Sequence, residues 1–302
     1  MASKVGCDAC MSCFAVDKSP PKFDDLGKEA RDVFGKEFGY GFFKLDAKTI
    51  SKKGVDFTTA LSSSNETGKV TGNLETKYKN AKHGLTLSEK WTTDNVLSTD
   101  ITIEDQLVQG LKLSFDTMFA PGTGKKAAKI KADYKRDYFH PTAEVDFDSS
   151  GPMVTAASVF GYNGWVCGLH GAFDTGKSKM TNTNIAIGYR SSDFVLHSSV
   201  TDASKFAGSV HHKINPKLEA AALMNWATGN ESVNFQVGMK YIIDPISSVK
   251  VKVNNSSHIG VSYLHKLSPS VKLGLSALVD AKNLDQGGHR VGLSLDVEME
   301  AK

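Results

Sequence analysis

Proline is scarce in this 302-residue chain, at 8 residues against 27 glycines, a balance that suits many short strands joined by turns. An excess of one charge sign is missing too. Lys and Arg number 36 against 33 Asp and Glu, and a net charge of +3 is too mild to call for a nucleic-acid partner. Continuous apolar runs of membrane-helix length are absent. The charge-free stretch Ser149–Phe173 holds five glycines, Pro152, Asn163 and His170. It breaks at Tyr162-Asn163-Gly164-Trp165, which reads as a hairpin turn, so two strands explain it better than a spanning helix. The opening MASKVGCDACMSCFAVDK lacks the apolar core of a secretory signal and ends in charges.

Cysteine is sparse, four in all, and three of them form Cys7-x2-Cys10-x2-Cys13. That spacing invites an iron–sulfur or zinc reading, but no fourth cysteine follows in range, and Cys167 falls in an expected strand. Residues 1–20 are therefore expected to be a flexible, oxidisable extension without a metal. Gly122-Thr123-Gly124-Lys125-Lys126 resembles a phosphate loop but has Phe119 where the first glycine belongs, and reads as a turn. No triad, paired carboxylates or metal cluster supports an enzyme, and no cofactor is expected.

What is present starts with one helix. Phe23, Leu26, Ala30, Val33 and Phe34 make a single apolar stripe, which predicts an amphipathic helix over Phe23–Phe38. Asp24 and Asp25 suit its first turn, Lys28, Glu29, Arg31 and Asp32 mark its polar face, and Gly35, Gly39 and Gly41 loosen its end. From Tyr40 onward the period is two. Val70, Gly72, Leu74, Thr76 and Tyr78 alternate with Thr71, Asn73, Glu75, Lys77 and Lys79, and about nineteen such segments of roughly ten residues follow one another. The weakest are Met153–Tyr162 and Lys205–Ile214, where alternation is poor.

An alternating face is buried either against a second sheet or against lipid. Strands in soluble proteins average five or six residues, whereas a tilted membrane strand needs about nine to eleven. The longer length dominates, and a membrane barrel is favoured despite a mean hydropathy of −0.25. In GLTLSEKW, residues 84–91, Leu85, Leu87 and Trp91 share a face with Glu89, a carboxylate among apolar neighbours.

Long stretches then resemble a known family. DLGKEARDVF (25–34), VTGNLETKYK (70–79), GLTLSEKWTTDN (84–95), EDQLVQGLKL (104–113), TGKKAAKIKADYKR (123–136) and KVNNSSHIGVSY (252–263) are similar to the voltage-dependent anion channels, or mitochondrial porins. The resemblance runs from about Pro21 to the end. It implies an all-β transmembrane barrel of nineteen strands, first and last parallel, with the helix folded into the pore. That strand number is the one the family is known for, so the periodicity count is not independent of it. Gly41–Ser51 should then lie parallel to His289–Glu298. The implied organisation is an extension over 1–20, a pore helix and glycine linker over 21–40, and a barrel over 41–302.

The implied function is a voltage-gated, mildly anion-selective channel across the mitochondrial outer membrane. It would pass chloride, ATP, ADP, NAD and other metabolite anions past a wall bearing Lys44, Lys48, Lys77, Lys79, Lys112, Lys129, Lys131 and Lys250. Gating is expected to involve Lys28, Arg31, Asp32 and Lys36, hinged at Gly35, Gly39 and Gly41, with Glu37 stiffening that hinge at a position where glycine is the expected residue. The family suggests nucleotide contacts at Lys28, Lys36, His258, Ile259, Gly260 and at Ser276, Ala277, Leu278, Val279 and Asp280. It also associates the position of Glu89 with hexokinase docking, homo-oligomer contacts and barrel dynamics, and names apoptosis regulators as partners. A protein-import pore of the same membrane is disfavoured by the lysine-rich wall, since basic presequences call for an acidic lumen. A soluble β-rich binding protein is the remaining alternative.

Overall fold

The computed structural model describes residues 19–51, 54–148, 151–229, 233–285 and 287–300. Cys7, Cys10 and Cys13 lie outside the described residues. Nineteen strands, numbered β1 to β19 in chain order, close into one barrel in which each pairs antiparallel with the next. The closure is the exception: β1 (Phe42–Ile50) runs parallel to β19 (Arg290–Glu300), in register from Phe43 opposite Leu293 to Ile50 opposite Glu300. An odd number of strands joined by hairpins leaves no other way to close.

Period-two sequence becomes two surfaces. Along β1, Phe43, Leu45 and Ala47 face out, while Lys44, Asp46 and Lys48 face in. The outer surface keeps large apolar side chains exposed, among them Phe57, Leu61, Leu74, Trp91, Ile101 and Phe115. A belt this continuous exceeds what a water-soluble monomer leaves bare and is the surface a bilayer covers. At one rim the aromatic pairs Tyr138–Tyr162, Phe139–Phe160 and Trp165–Tyr189 add a girdle suited to the membrane–water boundary. Asn163 and Gly164, both at positive φ, form the two-residue turn expected between Tyr162 and Trp165.

The interior is hollow. Among the described residues the buried apolar side chains form only two small clusters, and both include the segment that precedes β1. That segment is shorter in helix than its apolar stripe suggests. A 3-10 turn over Phe23–Asp25 is separated by Leu26 and Gly27 from α1 (Lys28–Gly35). Leu26 is extended and Gly27 is left-handed at φ 68°, so the expected helix over Phe23–Phe38 is split at its start and ends three residues early. The two poorly alternating stretches are strands as well, β9 (Gly151–Tyr162) and β13 (Lys205–Asn215). Their inward residues Val159, Ser209 and His211 are buried, as are Ala186, Ala221, Lys250 and Ser262 on other strands behind the segment. A wall that seats another segment is free to carry an apolar residue such as Val159.

Candidate functional site

Residues 19–40 lie along the inner wall, tied at both ends. At the start, His140 of β8 (Phe139–Asp148) donates through Nδ1 to the Pro20 carbonyl at 2.9 Å. Its Nε2 lies 2.6 Å from Asp133, which also pairs with Lys22. Phe23 stacks on His170 at 5.3 Å, and Leu26 packs with Val159 and Ala186. In the middle, Glu29 pairs with Arg190, and Ala30, Val33 and Phe34 cover Ala221 of β14 (Leu218–Ala227). The Phe34 ring occupies the space a side chain at Gly238 would take, since a Cβ there would stand 2.9 Å from it.

At the far end, Lys252 of β16 (Ser247–Asn254) donates to the Phe34 carbonyl at 2.7 Å. Its ammonium also sits 4.1 Å from the Phe38 ring centre and 5.2 Å from that of Tyr40. Ser262 of β17 (His258–Ser268) donates to the Glu37 carbonyl at 2.8 Å, and Lys250 pairs with the Glu37 carboxylate at 3.2 Å. Tyr40 lies directly over Gly260, and burial pushes its phenol above the ordinary range.

The helix residues expected to act in gating fall into two groups. Lys28, Arg31 and Lys36 are exposed on the lumen side of α1. Lys28 pairs with Asp25 at 2.8 Å, and this hydrogen bond and charge raise its pKa, so it stays cationic at neutral pH. Lys36 pairs with Asp32 at 2.6 Å. Arg31 is spent differently, donating to the backbone carbonyls of Leu26 and Asp24 within its own segment. Glu37, at φ 72°, occupies the conformation in which glycine is at ease.

Of the residues suggested for nucleotide contact, His258, Gly260, Ser276, Leu278 and Asp280 have inward parity on β17 and β18 (Val271–Asp280). His258 stands opposite Asp280 there, and Gly260 opposite Leu278. Ile259, Ala277 and Val279 alternate to the lipid side. Ser276 and Gly260 are buried, Gly260 beneath Tyr40. Among the wall lysines, Lys48, Lys79, Lys129 and Lys131 pair with Glu298, Asp56, Asp146 and Asp116. No carboxylate among the described residues is within salt-bridge distance of Lys44, Lys77 or Lys112. Lys250 departs from the expected wet wall: it is buried behind the segment. Glu89 faces out between Thr76 and Thr99 of the neighbouring strands, exposed on the lipid face. Cys167 also lies on the outer face and is exposed.

His140, Asp133, Lys252 and Ser262 were not singled out by sequence. Taken singly, each is one more polar residue at an inward position, and its partner lies about a hundred or more residues away.

A family model described as eukaryotic porin matches residues 19–292. The non-selective voltage-gated ion channel VDAC2 of Meleagris gallopavo is 50% identical over 298 residues, covering 99% of this chain and 100% of that protein. VDAC2 of Homo sapiens is 53% identical over 279 residues, covering 92% of this chain and 95% of that protein. VDAC1 of Ovis aries is 51% identical, with 92% of this chain and 99% of that protein covered. With a hollow charged barrel, a segment docked inside it and matches that span nearly the whole sequence, the chain belongs to the eukaryotic porin family.

Proposed function

We propose that this chain is a voltage-gated, mildly anion-selective channel through which ions and small metabolites diffuse across the mitochondrial outer membrane. The observation that carries this is the hollow barrel with its ionised wall and the segment lying inside it. Such a wall biases which ions enter without holding them, so its work is passage rather than bond chemistry. Residues 1–20 act as a cysteine-bearing extension, 21–40 as the pore segment and 41–302 as the barrel. Voltage closes the pore by undocking the segment at the glycines around Glu37, carrying Lys28, Arg31, Asp32 and Lys36 with it. Lys28, Lys36 and the inward residues His258 and Asp280 supply weak contacts to nucleotides in transit.

Planar-bilayer recording under a salt gradient tests the reading. The open state should conduct near zero voltage with an anion-favouring reversal potential, and step to lower conductance at both polarities. A cation-favouring open state overturns the selectivity, and a conductance indifferent to voltage overturns the gating.

Glu89 is proposed as a site on the outside of the channel, where a second copy of the barrel, hexokinase or an apoptosis regulator would meet it. An acid facing hydrocarbon is unfavourable, and intramembrane acids are functional candidates by default. Glu89→Gln should leave conductance unchanged and slow backbone hydrogen exchange in β1 to β4, where β2 is Val55–Ser64, β3 Val70–Asn80 and β4 Leu85–Thr92. Exchange rates equal to the parent's count against a dynamic role.

A further inference from the structure

Lys250 is anomalous for a pore-wall lysine. Its side chain has inward parity, yet only 5% of it is exposed, because residues 36 and 37 lie across it. Like charges surround it on the wall. Lys240 stands directly opposite on β15 (Asn234–Asp244) and is itself paired with Glu219 at 3.6 Å, while Lys252 follows on the same face. The carboxylate that reaches Lys250 comes from the segment: Glu37 Oε1, at 3.2 Å. A buried ammonium that loses its counter-charge is strongly destabilising.

Glu37 carries a second burden. Its φ of 72° is a left-handed conformation that costs a side-chain-bearing residue free energy glycine does not lose. Ser262 holds it there by donating to its carbonyl at 2.8 Å. Strain in the backbone favours leaving this position, and the ion pair opposes leaving.

We propose that the Glu37–Lys250 pair is the latch that holds the end of the pore segment in its docked, conducting position, both being positioning residues for voltage gating. The inference rests on the reading that undocking of the segment closes the pore. Undocking would carry the Glu37 carboxylate away and uncover Lys250 beside Lys240 and Lys252, whereas a docked segment without that carboxylate would bury the ammonium unpaired, which is the state the single variants test.

A double-mutant cycle in planar bilayers tests it, with Glu37→Gln, Lys250→Gln and the two combined. Each single variant should close at lower voltage, with the open-to-closed ratio at fixed voltage falling on the order of tenfold. The combined variant should shift by much less than the sum, because no unpaired charge remains. The reversed pair Glu37→Lys with Lys250→Glu should recover most of the parent behaviour, which a merely structural role would not do. Unchanged conductance near zero voltage and far-UV spectrum establish that each variant folds.

Additive shifts, or no shift in Glu37→Gln, overturn the latch. The same cycle is run in a channel whose helix is locked by Ala30→Cys and Ala221→Cys, with the native cysteines replaced by serine. Oxidised, it should neither close nor respond to Glu37→Gln, and reduction should restore both. A locked channel that closes normally overturns the undocking reading and the latch with it. A locked channel that stays open, combined with additive shifts in the unlocked one, removes the latch alone.

Discussion

Phe34→Ala should free the helix from the wall and leave the barrel intact. The ring is 6% exposed and fills the gap between Ala221 and the bare backbone at Gly238. Truncating a phenylalanine at such a site costs about 3–5 kcal/mol. An eight-residue helix has no stability of its own in water, so loss of its seat is loss of its fold. The polar ties do not compensate. Lys252 holds only the last turn and the residues after it, through the Phe34 carbonyl and the Phe38 and Tyr40 rings, and the Glu29–Arg190 pair is partly exposed and gains little. The strands depend on none of this, because their hydrogen bonds close on one another around the ring. Hydrogen exchange should therefore rise sharply across residues 28–35 with the strands unchanged, and the channel should close at smaller voltages. Gly238→Val, which puts a side chain where the ring belongs, should reproduce the effect from the wall side. Protection of residues 28–35 equal to the parent's in Phe34→Ala would show that the seat lies elsewhere.

The wall was legible because lipid and water impose opposite demands on alternate residues. Leu74 and Lys77 could not exchange places, so strand length and facing follow from the pattern, while the exact strand number leaned on the family resemblance and the parallel closure follows from its being odd. The segment was less legible for a related reason. An apolar stripe marks which face is buried but not where the backbone turns, and the left-handed Gly27 splits a stripe that runs on without interruption. The seat did leave a trace, in the weak alternation of Met153–Tyr162 and Lys205–Ile214. In the first of them that loss of pattern was a signal: inward Val159 faces protein, so the polar demand is lifted there. Gly238 and Gly260 are a fainter trace of the same kind, side chains missing where Phe34 and Tyr40 lie. Glu37 stood out as a glycine position filled by an acid. What the sequence could not supply was its partner, more than two hundred residues away on a strand with a second inward lysine, Lys252.

Leu61→Lys should prevent stable insertion, and Ala60→Lys, one residue earlier, should be tolerated. Leu61 faces out on β2, opposite Leu45 of β1, and is 41% exposed. In water, a lysine at a position that open changes stability by about 0.5 kcal/mol or less. On the lipid face near mid-strand it costs about 2–4 kcal/mol. The site lies next to the parallel closure, where pairing is slightly weaker per residue than in an antiparallel ladder, so the penalty falls where the barrel opens most easily. Ala60 faces in, opposite Asp46 on one side and Asn73 on the other, and a lysine there gains a carboxylate across the strand. Refolding into lipid vesicles with increasing urea reads the difference directly. The Leu61→Lys midpoint should fall well below the parent's, and the Ala60→Lys midpoint should stay close to it. The Ala60→Lys channel should also favour anions more strongly than the parent, because the added charge lines the pore. Equal midpoints for the two variants would mean that the outer belt does not meet lipid, and the barrel would have to be read as a protein in water with its apolar face bare.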